Sequence, residues 1–321
     1  MTRAFIPQEV LDLAHARSAA RVARDWAEAD RLRIHIEGAG WKVVDSGTNF
    51  RLERVEPSVS EADGAILYGR SDAVPSQLDE PAEGHITVVL VALDEPDLLA
   101  RALASLDACA PTATQVVIVA DGWTDAQASG LPTARADGEH PSIEVVRTSG
   151  LLGWAAALNI GIRRATGSVV VFLDGRAALR GDALTPLVDA LADPTVAVVG
   201  AAGVRTEDLR RFEDVGEGEA VAIRGDVLAF RRADAQARGP LDEGFRVPRH
   251  LDIWWSLVLR DEGEDGPPRR ALVLGGLPMS HHDDARDGKP PAPDEDRLAK
   301  RNVYRLLDRF RDRADLLFPD G

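Results

Sequence analysis

Apolar residues along this chain follow three patterns. Between residues 8 and 38 they recur near every 3.6 positions. Val22, Trp26, Ala29, Leu32 and Ile36 share one stripe, which predicts a helical stretch stopped by Gly38 and Gly40. Residues 41–45 and 50–54 then flank Ser46-Gly47-Thr48-Asn49, the pattern of a small hairpin. After His85 come unbroken β-branched runs alternating with helical stretches. Val116-Val117-Ile118-Val119 runs into Ala120-Asp121-Gly122, and Val169-Val170-Val171-Phe172-Leu173 stops on Asp174. A run apolar at every position marks a strand covered on both faces, so this part predicts an α/β fold with a mostly parallel sheet flanked by helices. Open α/β sheets bind ligands at the carboxyl ends of their strands. Two carboxylates at two such ends therefore mark a candidate site.

Residues 56–84 break the pattern. Pro57, Pro75 and Pro81 stand among Ser, Asp and Glu, with Ala65-Ile66-Leu67-Tyr68 as the one apolar island, which predicts a partly disordered linker. The expected organisation is a helical module with a hairpin over 1–55, a linker over 56–84 and an α/β domain over 85–321. Leu298, Val303, Leu306, Leu307 and Phe310 lie at helical spacing and predict a last helix packed on that domain.

Composition narrows the function classes. The 321 residues carry a formal charge of −15, which argues against a generic nucleic-acid binder and against a surface lying on anionic lipid. Cys109 is the only cysteine, which excludes an intrachain disulfide and a cysteine-rich metal site. No apolar run reaches a membrane span, and the amino terminus lacks the apolar core of a signal peptide, so a soluble cytoplasmic protein is expected.

In the first 55 residues, Arg24-Asp25-Trp26-Ala27-Glu28-Ala29-Asp30-Arg31-Leu32-Arg33 followed by Gly40-Trp41-Lys42-Val43-Val44-Asp45 resembles the carboxy-terminal segment of cysteinyl-tRNA synthetases. The catalytic domain of those enzymes has no counterpart here. Nine Lys and Arg balance nine Asp and Glu between Met1 and Glu56, so a packing or docking module is expected rather than an RNA-binding one.

From Ile86 to about residue 282 a second set of motifs appears in order. Thr87-Val88-Val89-Leu90-Val91-Ala92-Leu93-Asp94 opens it, and Val119-Ala120-Asp121-Gly122-Trp123-Thr124-Asp125 follows. Then come Gly153-Trp154-Ala155-Ala156-Ala157-Leu158-Asn159-Ile160-Gly161 and the strand ending in Asp174-Gly175-Arg176. Downstream stand Gly239-Pro240-Leu241-Asp242-Glu243-Gly244-Phe245 and Leu251-Asp252-Ile253-Trp254-Trp255. Together these resemble family 2 glycosyltransferases, whose fold is GT-A.

The resemblance implies a nucleotide-sugar donor bound at Asp94, Asp121 and Asp174, with Asp252 as the base that activates the acceptor. The first two also suit plain turns or helix caps, and Asp252 suits a cap of the helix that follows. In the family the strand ends in Asp-x-Asp, which holds a divalent cation, Mn²⁺ or Mg²⁺. Here the third position is Arg176. Two repairs follow: a cation held by Asp174 with His281 or His282, or Arg176 pairing directly with the diphosphate. Trp254 and Trp255 point about 100° apart on their helix, so they are expected to meet different surroundings, one of them either packed under the domain or forming an apolar platform for a sugar ring. The function expected is inverting transfer of a hexose or similar sugar to an acceptor that the motifs do not name. The alternatives are a catalytically silent GT-A domain that binds a nucleotide or protein partner, and an RNA-associated factor acting through the first module.

Overall fold

A single residue breaks the expected long helix. Arg24 has φ 60°, and the Asp25 side chain then accepts the Glu28 N–H at 3.1 Å, capping a new helix. The computed structural model therefore has α1 (Gln8–Val22) and α2 (Trp26–Gly38), followed by the antiparallel hairpin β1 (Trp41–Ser46) and β2 (Asn49–Arg54). It describes residues 6–46, 49–54, 57–62, 64–92, 95–132, 134–263, 266–282 and 293–317. These divide into two units, Met1–Ser60 and Glu61–Gly321. In the first, Val10, Ala14, Ile36 and Trp41 form the core, and Arg17 and Arg21 both pair with Asp45 to tie α1 to the hairpin. Ala29, Leu32 and Ile36 are buried as expected. Val22 and Trp26 are 83% and 59% exposed, because the chain turns between them and the stripe does not continue.

The second unit begins inside β3 (Val59–Ala62) and continues with β4 (Ala65–Tyr68), β5 (Gly84–Val91), α3 (Pro96–Cys109), β6 (Thr114–Ala120) and α4 (Asp125–Ala128). Then come β7 (Ser142–Thr148), α5 (Trp154–Arg164), β8 (Gly167–Leu173), β9 (Ala177–Leu179), α6 (Thr185–Ala190) and β10 (Val196–Gly200). The short strands β11 (Gly203–Arg205), β12 (Glu213–Val215), β13 (Gly218–Ala220) and β14 (Ala222–Ile223) lead to β15 (Val227–Arg231), α7 (Arg232–Arg238) and α8 (Leu251–Arg260). The chain closes with β16 (Arg270–Val273), β17 (Met279–His281), α9 (Pro293–Phe310) and α10 (Ala314–Leu317).

The main sheet runs β13-β16-β10-β15-β8-β5-β6-β7-β4-β3. Its centre, β8, β5, β6, β7 and β4, is parallel, while β15 inserts antiparallel between β8 and β10. The unbroken apolar runs have the expected cause. In β5, Val89 and Val91 face a core built with α5 and α8, whereas Val88 and Leu90 face one built with α3 and α6. Alternate residues thus bury on opposite faces of the sheet. Gly161 of α5 lies so close to β5 that a Cβ there would come 2.2 Å from Val89 Cγ1, which seats the helix on the sheet.

One expectation fails here. Residues 65–83 are not a linker. β4 pairs with β7, Val74 is 1% exposed in the core, and Arg163 donates to the Val74 carbonyl at 2.8 Å. Gln77 N–H in turn donates to the Arg163 carbonyl at 2.6 Å, and Arg232 donates to the carbonyls of Gln77 and Glu80. Arginines of the helices pair the backbone of a segment too polar to read as folded. Both tryptophans of α8 pack under the domain, Trp254 4% and Trp255 1% exposed. They meet different surroundings, and Trp255 also lines a pocket at the end of the sheet. Trp255 packs on Phe230 of the sheet, and Trp254 packs on Phe245 and under Arg309 of α9. The last helix does pack as expected, with Leu306 and Phe310 fully buried.

Candidate active site

The antiparallel insertion of β15 builds the site. Its register sets Val227 opposite Leu173, so the residue before β15, Asp226, lies opposite Asp174 at the end of β8. Asp174 N–H donates to the Asp226 carbonyl at 2.8 Å. The Asp174 carboxylate accepts the backbone N–H of Arg176 at 2.8 Å, closing the Asp174-Gly175-Arg176 turn into β9. Strand β17 pairs with β9, setting His281 opposite Ala177, and His281 Nδ1 lies 2.9 Å from Asp226 Oδ1. His282 N–H donates to the Arg176 carbonyl at 3.0 Å. Asp174, Arg176, Asp226 and His281 thus gather at the carboxyl end of the sheet. Burial, reinforced by the Asp174 charge, pushes the Asp226 carboxyl above its ordinary pKa, against the pull of His281 and Arg176.

Asp252 faces the same space from the other side. Helix α8 starts after His250, whose φ is 67°, and Asp252 falls inside its first turn rather than at the cap. Its Oδ1 accepts Ile253 N–H at 2.8 Å and its Oδ2 accepts Gly225 N–H at 3.1 Å. Burial pushes this carboxyl up as well. Asp174 and Asp252 line one pocket, whose other walls include Val91, Trp154, Leu228, Leu251 and Trp255. Those apolar walls disfavour the charged form of Asp252.

The remaining expected residues are placed differently. Asp121, 8% exposed, accepts Leu152 N–H and Gly153 N–H at 2.8 Å each and the Thr148 hydroxyl at 2.9 Å. It fastens residues 148–153 to the end of β6, with one acceptor position left on Oδ2. Asp94 lies outside the described residues. The cation set expected from Asp174, His281 and His282 is not assembled: among the described residues no three carboxylate, imidazole or thiolate groups converge in a metal-holding arrangement. Arg176 stands where the second carboxylate of the family triplet is expected, and Asp226 engages His281 Nδ1. Asp226 itself was missed. Only the strand pairing brings it to Asp174, and no spacing in the sequence announces that pairing.

The architecture is the GT-A fold of glycosyltransferases. Among solved structures the chain resembles GalNAc-T7 with UDP, GalNAc and Mn²⁺, at TM-score 0.52 and 15% identity, over 72% of this chain and 49% of that one. It also resembles the mannosyltransferase PcManGT from Pyrobaculum calidifontis in complex with GDP-Man and Mn²⁺, at TM-score 0.51 and 22% identity, over 73% and 77% of the two chains.

Residues 87–238 match the family model "Glycosyl transferase family 2", which bears out the resemblance carried by the motifs. A pre-mycofactocin glycosyltransferase of Mycobacterium tuberculosis is 28% identical over 295 residues, 81% of this chain. The chain spans 59% of the length of that curated relative. A cysteine–tRNA ligase of Caldicellulosiruptor saccharolyticus is 39% identical over 51 residues, 16% of this chain and 11% of the ligase, which bears out the second resemblance as a short segment. No helix among the described residues is long and apolar enough to cross a membrane.

Proposed function

We propose that the chain transfers a sugar from a nucleotide-sugar donor to an acceptor hydroxyl, with inversion at the anomeric carbon and with Asp252 as the base. The acceptor oxygen attacks that carbon while Asp252 takes its proton. The bond to the diphosphate breaks on the opposite side, and the nucleoside diphosphate leaves with the electron pair. Asp174, Asp94 and the acceptor position left on Asp121 are assigned to the donor. What carries the reading is that Asp174 and Asp252 line one pocket at the carboxyl end of the sheet, the end at which open α/β sheets take their ligands. The upward shift of Asp252 supports its role, since a base whose pKa approaches the working pH transfers protons more effectively.

The test is Asp252→Asn. Turnover of a nucleotide sugar, followed by release of the nucleoside diphosphate, is expected to fall by roughly 10²–10⁴ while calorimetric donor binding stays intact. Unchanged turnover, or loss of donor binding alone, would remove Asp252 from the base position.

A further inference from the structure

We infer that this site holds the donor's diphosphate without a divalent cation, through the Arg176 guanidinium. The inference rests on the glycosyl-transfer reading and concerns how that site neutralises its most charged ligand. A cation site at a strand end needs carboxylate or imidazole atoms free to converge. Here one oxygen of Asp226, the carboxylate opposite Asp174, engages His281 Nδ1 at 2.9 Å. One Asp174 oxygen accepts the Arg176 N–H at 2.8 Å. A cation placed among them would also meet the charge of Arg176, which is felt at Asp226, and like charges near a desolvated carboxylate repel.

The guanidinium has the complementary property. Arg17, Arg147, Arg176, Arg232 and Arg238 each have a buried Nε without a partner. Four of them use a terminal nitrogen elsewhere: Arg17 on Asp45, Arg147 on Asp125, Arg232 on the Gln77 carbonyl and Arg238 on Glu262. The guanidinium of Arg176 makes no hydrogen bond or ion pair among the described residues. Its backbone, by contrast, is held on both sides, by the Asp174 carboxylate and by the N–H of His282. A fixed stem carrying an unspent planar donor suits a ligand with paired anionic oxygens, and a diphosphate accepts from such a fork with charge-assisted bonds. Asp226 is then a positioning residue. Its backbone carbonyl accepts the Asp174 N–H at 2.8 Å, and its carboxylate holds His281 beside the turn.

The experiment is titration calorimetry on the full chain with UDP, GDP and inorganic pyrophosphate, each in EDTA and in Mn²⁺. The expected result is that pyrophosphate and at least one of the nucleotides bind in EDTA, with Mn²⁺ changing the dissociation constant by less than about three-fold. Arg176→Ala should weaken that binding by about ten-fold or more, the scale of a charged hydrogen bond. Arg176→Lys, which keeps the charge and loses the fork, should recover part of it, with circular dichroism confirming that both variants are folded. Arg176→Asp should make binding follow Mn²⁺. Binding that EDTA abolishes and Arg176→Ala leaves unchanged would overturn the inference and leave the glycosyl-transfer reading standing. Failure of both nucleotides to bind, with and without Mn²⁺, would remove the donor reading itself.

Discussion

Burial decides what Asp252 does at a given pH. Its carboxyl is held above its ordinary value because the apolar pocket walls disfavour the anion. A base must be deprotonated, so activity should be lost as pH falls through this raised pKa. The acid limb of kcat/KM is therefore expected above the ordinary carboxylate value of about 3.9. A pH–rate profile checks this, and an acid limb at or below that value would contradict the assignment. Gly161 carries a different constraint. A Cβ there would meet Val89 Cγ1 at 2.2 Å, so Gly161→Ala should cost about 1–3 kcal/mol in urea denaturation through overpacking. Asp174 and Asp252 were legible as candidates because motif order and a strand end marked them. Asp226 was not, because it reaches Asp174 only through the register of β15 on β8.

At the scale of elements, α8 shows how a helix apolar on most sides is accommodated. Nine of its ten residues are buried, between strands β10, β14 and β16 and the aromatic contacts with Phe245 and Arg309. It ends on Arg260, 2% exposed, whose guanidinium donates to the carbonyls of Val221, Arg269 and Leu316. Burial pushes that guanidinium down to about 10, so it remains charged at neutral pH. Arg260→Met would leave these carbonyls unpaired. A loss of about 3 kcal/mol or more is expected in chemical denaturation, with faster amide exchange across α10. An unchanged denaturation midpoint would show that the three bonds contribute nothing net. Element type was readable in the parallel core because the apolar runs report burial on both faces. The break between α1 and α2 was not, since it rests on the left-handed backbone of Arg24 and the cap at Asp25.

For the whole molecule, the useful question is where the chain can be cut. The core of the first unit is its own cluster, and the second unit begins at Glu61. Deleting residues 1–56 is expected to leave a folded domain that still binds nucleoside diphosphate. Deleting 1–80 is expected to unfold or strongly destabilise it. That cut removes β4, the buried Val74 and Gln77, which bonds to both Arg163 and Arg232. Circular dichroism melts of the two truncations check this, and equal melting temperatures would restore the linker reading. The isolated first module is expected to bind tRNA no better than micromolar at physiological salt. Five of its nine cations, Arg17, Arg21, Arg31, Arg33 and Arg51, are ion-paired with its own carboxylates, which leaves little excess positive charge for phosphates. Submicromolar, salt-dependent binding would favour an RNA-associated role.

By itself the sequence determined the α/β class, the hairpin, the packed last helix, the two resemblances and the carboxylates Asp121, Asp174 and Asp252 as separate candidates. These are local properties: strand and helix periodicity, a cap or breaker, and motifs whose spacing survives in one dimension. The tertiary structure decided three things that no local pattern carries. Arginines of the helices satisfy the backbone of residues 65–83, so that a polar, proline-bearing stretch folds with the domain. Antiparallel insertion of β15 brings Asp226 to Asp174, and the β9–β17 ladder brings His281 to Asp226. These pairings join residues far apart in sequence, and their energy comes from burial and charge in a shared space that exists only once the sheet has formed.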